Sequence, residues 1–394
     1  MRSIAFVVPE LLPVPPVQGG AVEHWVDEVA RRMVAPGRTL AMVSRPAGTA
    51  GDAGIDYRAI PWTRSERWFQ RLKDKVSWRN PLRYVAKLQN VWSYGRRAAQ
   101  AVRESDLVYL HNEPNILLFL RKRAQQRIVL HMHNDHLSGR LFRPLYRRLL
   151  RKADRVIFIS DHVRQQALRH FPEHAARFCV MHNATDPQLF RPYDEARAQL
   201  PLLVWQPDLR YLLYVGRLVP DKGVHVLIAA FALIRQRRPD VRLIVAGSSF
   251  FGGAARTPYE RELEALAAPL SEAMVFTGYL PHGQLKYLYA AADVVAFPSV
   301  WQEPFGLVML EAMASGTSLV ASRVGGIPEV VSDGVDGVLV PPGDAAALAD
   351  AVCALLADAH AKTAMEQKGR EKIVQAYTWD RLVGQIASEF EAMP

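Results

Sequence analysis

The feature that most constrains this chain is an alternation. Short apolar runs such as Ile4–Val8, Leu107–Leu110 and Val294–Phe297 recur along it, each followed by a longer stretch with apolar residues at helical spacing. Runs this short, rich in Val, Ile and Leu at successive positions, read as strands with both faces covered. Parallel neighbours need a crossover, and a helix is the usual one, so the alternation implies parallel sheets built from βαβ units. Strands are expected near 4–8, 39–44, 107–110, 128–133, 155–159 and 178–181, then near 211–215, 241–246, 274–277, 293–297, 318–321 and 337–340. The fold class is α/β, with two open doubly wound, Rossmann-like sheets.

A chain of 394 residues has room for both. With 49% hydrophobic and 22% charged residues it is neither a disordered nor a fibrous sequence. Charge divides it: residues 1–195 hold 32 Lys and Arg against 18 Asp and Glu, whereas 196–394 hold 17 against 21. A linker is expected at 184–210, which carries Pro187, Pro192, Pro201 and Pro207. The domains are therefore 1–190 and 191–377, with 378–394 an amphipathic helix packing back onto the first; its apolar positions are Trp379, Leu382, Val383, Ile386 and Phe390. No apolar run approaches the ~18 residues of a membrane span. Ile4–Val8, stopped by Pro9-Glu10, is too short for the core of a signal peptide. Cys179 and Cys353 then read as free buried thiols in a reducing cytoplasm, and no Cys/His cluster has zinc-ligand spacing.

Four segments carry chemistry. Glu303-Pro304-Phe305-Gly306-Leu307 follows a strand and opens a helix, with Pro304 suited to the first helical position. The N–H groups of Phe305, Gly306 and Leu307 would then point outward, at an end that attracts anions and polar oxygens, and Glu311 would follow two turns on, able to accept from a diol. Val215-Gly216-Arg217 to Lys222-Gly223 is a strand, a glycine turn and a helix start, with Arg217 and Lys222 placed to meet phosphate. Gln18-Gly19-Gly20 follows the first strand and lets a ligand approach the backbone, although it lacks the spacing of a dinucleotide fingerprint. His131-Met132-His133-Asn134-Asp135-His136 ends a first-half strand; one histidine acting as a hydrogen-bond partner is a more economical reading than a metal site. There is no Asp-x-Asp, so a diphosphate bridged to paired carboxylates by a metal is not expected, and Arg217 and Lys222 are left to neutralise it.

Together these segments resemble the family 4 retaining glycosyltransferases, which have the GT-B fold. The ordered set runs from Val215-Gly216-Arg217 through Phe276-Thr277-Gly278-Tyr279-Leu280-Pro281, the E-x7-E motif Glu303 to Glu311, and Gly325-Gly326-Ile327-Pro328-Glu329 to Gly337-Val338-Leu339-Val340. In the first half it touches Gly19-Gly20, His133, Ser160, and Asn183 with Asp186 and Phe190, where the family's Asn-Gly-Val-Asp stands as Asn183-Ala184-Thr185-Asp186. The resemblance implies two domains facing across a cleft, the first serving the acceptor and the second a nucleotide-diphosphate sugar, with UDP the commonest base. It gives Arg217 and Lys222 the donor diphosphate, Glu311 the ribose, Glu303 and the amides of Phe305, Gly306 and Leu307 the sugar hydroxyls, and His133 the C6 end of the sugar. Gly19 and Gly20 would border diphosphate and acceptor, and Gly278, Tyr279 and Leu280 the base. Transfer would retain configuration, with no metal and no cofactor.

Residues 62–103 hold eleven Lys and Arg against Glu66 and Asp74, with Trp62, Trp68, Trp78 and Trp92 among them, and Arg140 to Arg155 adds a second basic run. Basic residues interleaved with Trp suit an anionic membrane surface. This predicts a lipid-linked or phosphorylated saccharide acceptor at the inner face of the cytoplasmic membrane, in assembly of lipopolysaccharide, capsule or exopolysaccharide, with exposed Trp68 and Trp78 as its mark. Nucleic acid is not expected, since no recognition motif is present. A nucleotide-sugar 2-epimerase of the same fold and a non-catalytic sugar-nucleotide binding or coat protein are the competing readings; the joint presence of Arg217, Lys222, Glu303, Glu311 and His133 favours transfer.

Overall fold

A strand apolar on both faces needs a layer above and a layer below, and the computed structural model meets that need in two sheets. It describes residues 2–16, 20–47, 52–75, 82–137, 142–200, 203, 205–249 and 256–393. The chain forms two compact units, Met1–Met181 with Val383–Pro394, and His182–Leu382.

In the first unit, β1 (Ser3–Val7) leads to α1 (Ala21–Arg32), β2 (Thr39–Ser44) and β3 (Ile55–Ala59). The helices α2 (Arg64–Lys75) and α3 (Leu82–Ala101) precede β4 (Leu107–His111) and β5 (Arg127–Met132). Then come α4 (Arg143–Leu150), β6 (Arg155–Phe158), α5 (Asp161–Leu168) and β7 (Phe178–Val180). Among the described residues the strands pair in parallel in the order β3-β2-β1-β4-β5-β6-β7. β3 escaped the sequence reading because it is an edge strand, Ile-Asp-Tyr-Arg-Ala, with only Ile55 buried.

In the second unit, β8 (Arg210–Val215), α6 (Val224–Arg237), β9 (Val241–Ala246), α7 (Pro258–Ala267) and β10 (Met274–Gly278) follow in turn. α8 (His282–Ala291), β11 (Val294–Phe297), α9 (Leu307–Ala314), β12 (Ser318–Ser322), α10 (Ile327–Val330) and β13 (Val338–Val340) complete the sheet, in the parallel order β10-β9-β8-β11-β12-β13. α11 (Ala345–Ala357), α12 (Ala359–Ala376) and α13 (Trp379–Ala392) end the chain. In each sheet the strand order reverses beside the first strand, between β1 and β4 and between β8 and β11, and ligands of open α/β sheets bind outside the carboxyl ends at such a reversal.

Three expectations are corrected. The units divide at Met181/His182, so 184–210 is not a free linker; it belongs to the second unit and buries Ala184, Phe190 and Leu200. Pro304 is not the first helical residue, as described below. Cys179 and Cys353 are free but only half-buried, and burial still pushes the Cys179 thiol up to about 12. α13 does bury Trp379, Leu382, Ile386 and Phe390, and its Phe390 ring meets Tyr109 edge-on at 5.2 Å.

Candidate functional site

Residues from several loops of the second unit gather at the carboxyl ends of β8, β10 and β11. After β8 the chain passes Gly216 and Arg217, makes a short 3-10 turn at Pro220–Lys222, and enters α6. Arg217 is exposed, with no ion pair among the described residues, while its carbonyl accepts the Tyr214 hydroxyl at 2.8 Å. Gly223 caps α6 at φ 69, where a Cβ would stand 2.0 Å from the carbonyl oxygen of Pro298. That close approach brings the β8 and β11 loops together, and Lys222 Nζ pairs with Glu303 Oε1.

Glu303 is buried and held from three directions. Beyond Lys222, its Oε2 accepts the Ser299 hydroxyl at 3.1 Å and Trp301 Nε1–H at 2.5 Å. Its carbonyl accepts Gly326 N–H at 2.8 Å, and a Cβ on Gly325 would fall 2.0 Å from that same oxygen. The glycine pair before α10 is thus what lets the next loop clamp Glu303.

α9 begins at Leu307, because Gly306 caps it at φ 100, a left-handed conformation that interrupts any helical run from Pro304. Phe305 therefore turns inward, buried beside the His182 ring. The N–H groups of Phe305, Gly306 and Leu307 still make no hydrogen bond among the described residues, which leaves them available to an oxygen ligand. Glu311, about one turn into α9, is buried; its Oε1 lies 3.1 Å from His282 Nε2 and its Oε2 accepts the Tyr289 hydroxyl at 2.7 Å. Burial, with Glu311 alongside, holds the Tyr289 phenol well above its ordinary range. The Phe190 ring packs on both His282 and Tyr289. His282 and Tyr289 were missed in the sequence, although their spacing places them two turns apart on one face of α8. Gly278 ends β10 at φ 69 and its carbonyl accepts Gly247 N–H at 2.9 Å; half-buried Leu280 and exposed Tyr279 then lead into α8.

In the first unit, Gly20 caps α1 at φ 117, with Glu23 Oε2 where a Cβ would intrude at 2.3 Å; Gly19 lies outside the described residues. His133 is buried just past β5, with His111 and His131 beside it and Trp25 against all three rings. Burial, with His136 near, holds the His133 ring down to about 3, and burial keeps His111 and His131 well below their ordinary value. These three neutral imidazoles are the metal-like cluster that the structure offers. Among the described residues their ligating atoms all lie within 4.8 Å of one another. The His131 and His133 rings are stacked 20° from parallel, with centroids 4.3 Å apart.

On the basic segment, Trp68 is 60% exposed and Trp92 58%, while Trp62 lies under the Arg45 guanidinium at 3.7 Å; Trp78 and Arg79 are outside the described residues, as is Arg140. Arg64, Trp68 and Arg71 form one exposed stripe of α2. Among the described residues no helix is long and apolar enough to cross a membrane.

Comparison with known proteins gives matches along most of the chain. Residues 200–372 match the family model for glycosyl transferases group 1, and residues 19–189 that for glycosyltransferase family 4. A lipopolysaccharide 1,2-N-acetylglucosaminetransferase of Salmonella typhimurium is 27% identical, over 99% of this chain and 97% of its own. A GDP-mannose-dependent alpha-(1-6)-phosphatidylinositol monomannoside mannosyltransferase of Mycolicibacterium smegmatis is 35% identical, over 66% of this chain and 69% of its own. Among solved structures, Anabaena HepE in complex with UDP and glucose has a TM-score of 0.73 at 22% identity, covering 98% of this chain and 99% of that one.

Proposed function

The chain belongs to the glycosyl transferases group 1 family, with the two Rossmann-like domains of the GT-B fold, and from that premise we propose that it moves a sugar from a nucleotide-diphosphate sugar to a lipid-linked or phosphorylated saccharide with retention of configuration. The observation that carries this reading is the Lys222–Glu303 pair, with Arg217 exposed on the same loop. A cation beside a carboxylate that already gathers three donors offers a diphosphate and a sugar hydroxyl adjacent places. Lys222 and Arg217 neutralise the departing nucleotide; Glu303 and the open amides of Phe305, Gly306 and Leu307 take sugar oxygens. Glu311, fixed by His282 and Tyr289, keeps lone pairs for a ribose diol, and Gly278, Tyr279 and Leu280 border the base. His133 hydrogen-bonds the sugar, and Gly19 and Gly20 border diphosphate and acceptor.

In the reaction the bond from the anomeric carbon to the phosphate oxygen breaks and one from that carbon to the acceptor oxygen forms on the same face. The acceptor's proton passes to the leaving phosphate, so no carboxylate nucleophile is needed. The cations supply the neutralisation that a metal would otherwise provide, and no other cofactor is called on. UDP is the proposed nucleotide, supported by the UDP held in HepE, while the mycobacterial relative's name points to GDP as the competitor. The Salmonella relative supports a place in bacterial surface-polysaccharide assembly. The stripe of Arg64, Trp68 and Arg71 supports docking at an anionic membrane surface on the cytoplasmic side.

Thermal stability measured in EDTA with UDP, GDP, ADP or CMP tests the donor site. At a hundred times its dissociation constant a ligand adds ~2.7 kcal/mol. UDP should raise Tm in the unaltered protein and fail to do so in Glu311→Ala. Stabilisation by GDP alone would reassign the donor, and none with any nucleotide would contradict the site.

A further inference from the structure

β4 ends in His111, which sits in register with His131 of β5, and His133 follows two residues later. His111 Nδ1 lies 3.1 Å from His133 Nε2. Both rings are neutral at pH 7, so one proton is shared across this contact and only one of the two nitrogens donates it. If His133 donated, His111 would carry its proton on Nε2, an atom buried without a partner. A buried N–H with no acceptor is the costlier orphan. If His111 donates from Nδ1, its Nε2 is only a bare lone pair, and His133 must carry its own proton on Nδ1. That is the ring atom of His133 that has no partner among the described residues.

The backbone fixes the same ring. Asn112, next to His111, adopts φ 56, a left-handed conformation that Asn tolerates better than most residues. Its Oδ1 accepts the N–H of His133 at 2.7 Å and of Asn134 at 3.2 Å, and its own N–H donates to the His131 carbonyl at 2.8 Å. The side chain of one strand end thus clamps the chain leaving the next.

We infer that His111, seated by Asn112, is a positioning residue that locks His133 in the Nδ1–H tautomer and so makes this ring a hydrogen-bond donor toward a hydroxyl oxygen of the transferred sugar. The identity of that hydroxyl rests on the transferase reading; the tautomer does not.

The test is nitrogen-15 NMR of the histidine-labelled full chain at pH 7, joined to turnover of a UDP-sugar. His133 should appear as Nδ1–H. His111→Phe keeps the aromatic packing but removes the donor, and should release His133 to the Nε2–H form and lower kcat/KM about tenfold. His111→Asn, whose amide nitrogen falls near the lost Nδ1, should restore the Nδ1–H tautomer and most of the rate. Adding His111→Phe to His133→Ala should cost nothing further. An Nε2–H His133 in the unaltered chain overturns the inference without recourse to any variant, and so does full turnover by His111→Phe. Absence of turnover in the unaltered chain would contradict the transferase reading instead, while the tautomer still decides whether His111 sets the ring.

Discussion

Glu303 ties together three loops, two through its carboxylate and the third through its main-chain carbonyl, and its partners set what each substitution does. Lys222→Ala removes the cation expected at the diphosphate and should lower turnover by about 10²–10³, as loss of one preorganised charge stabiliser does elsewhere. The fold should survive, since Ser299 and Trp301 still hold Glu303; near-unaltered turnover would remove Lys222 from the site. Gly325→Ala is the structural counterpart. Its Cβ would meet the Glu303 carbonyl at 2.0 Å, at φ 57, so both stability and nucleotide response should fall together in a thermal titration. The three buried histidines give a pH signature. Their folded pKa values lie below the unfolded value near 6.5. Above that value both states are neutral and the rings impose no cost. Below it the unfolded chain binds protons that the folded chain refuses, so stability falls on acidification below about 6.5, for His133 until about 3, by up to roughly 1.4 kcal/mol per pH unit for each ring. Urea denaturation at pH 7 and pH 5 should show this slope, reduced in His131→Phe.

Among elements, the helices α2 and α3 depend on one buried ion cluster. Glu66 is fully buried, with Arg45 Nη2 at 3.2 Å, Arg97 Nη2 at 2.8 Å and the Thr63 N–H at 2.6 Å. Although burial pushes the Glu66 carboxyl up, these donors hold it below its ordinary range. Glu66→Gln leaves the buried Arg45 cation without its carboxylate, and should destabilise the protein by about 3–5 kcal/mol in chemical denaturation. The outer face behaves independently. Trp68→Ala, at a 60% exposed position, should leave stability nearly unchanged and weaken binding to vesicles containing phosphatidylglycerol. Unchanged vesicle binding would detach this stripe from the membrane. The same elements show what was legible in the sequence. Strands buried on both faces, such as β4 and β11, announce themselves by composition; β3 does not, because an edge strand with one buried side chain has a loop's polarity. Lys222, Glu303 and Glu311 stand out in local motifs, whereas the start of α9 depends on Gly306, at φ 100, where a Cβ would meet the Phe297 ring nine residues upstream at 2.9 Å. His111, His282 and Tyr289 were missed because their importance arises from contacts between elements, which no short window of sequence contains.

At the scale of the whole molecule, the first unit is discontinuous: it is completed by Val383–Pro394. Phe390 packs on Tyr109, and Glu389 pairs with Arg155. Phe390→Ala should therefore cost about 3–5 kcal/mol although it lies near the chain's end; a loss below about 1 kcal/mol would show that α13 is an accessory to that unit. The separation of charge, basic in 1–195 and slightly acidic in 196–394, follows the proposed division between an acceptor side at a membrane and a donor side in solution. The central claim is metal-free transfer with retention from a nucleotide-diphosphate sugar. Its most direct test is proton NMR of UDP-sugar turnover by the full chain in EDTA, following UDP release and the anomeric configuration of the newly formed product. The account predicts UDP release without metal, an α-configured product from an α-linked donor, and loss of both in Lys222→Ala. Release only when a divalent metal is restored, or a β-configured product, would contradict it.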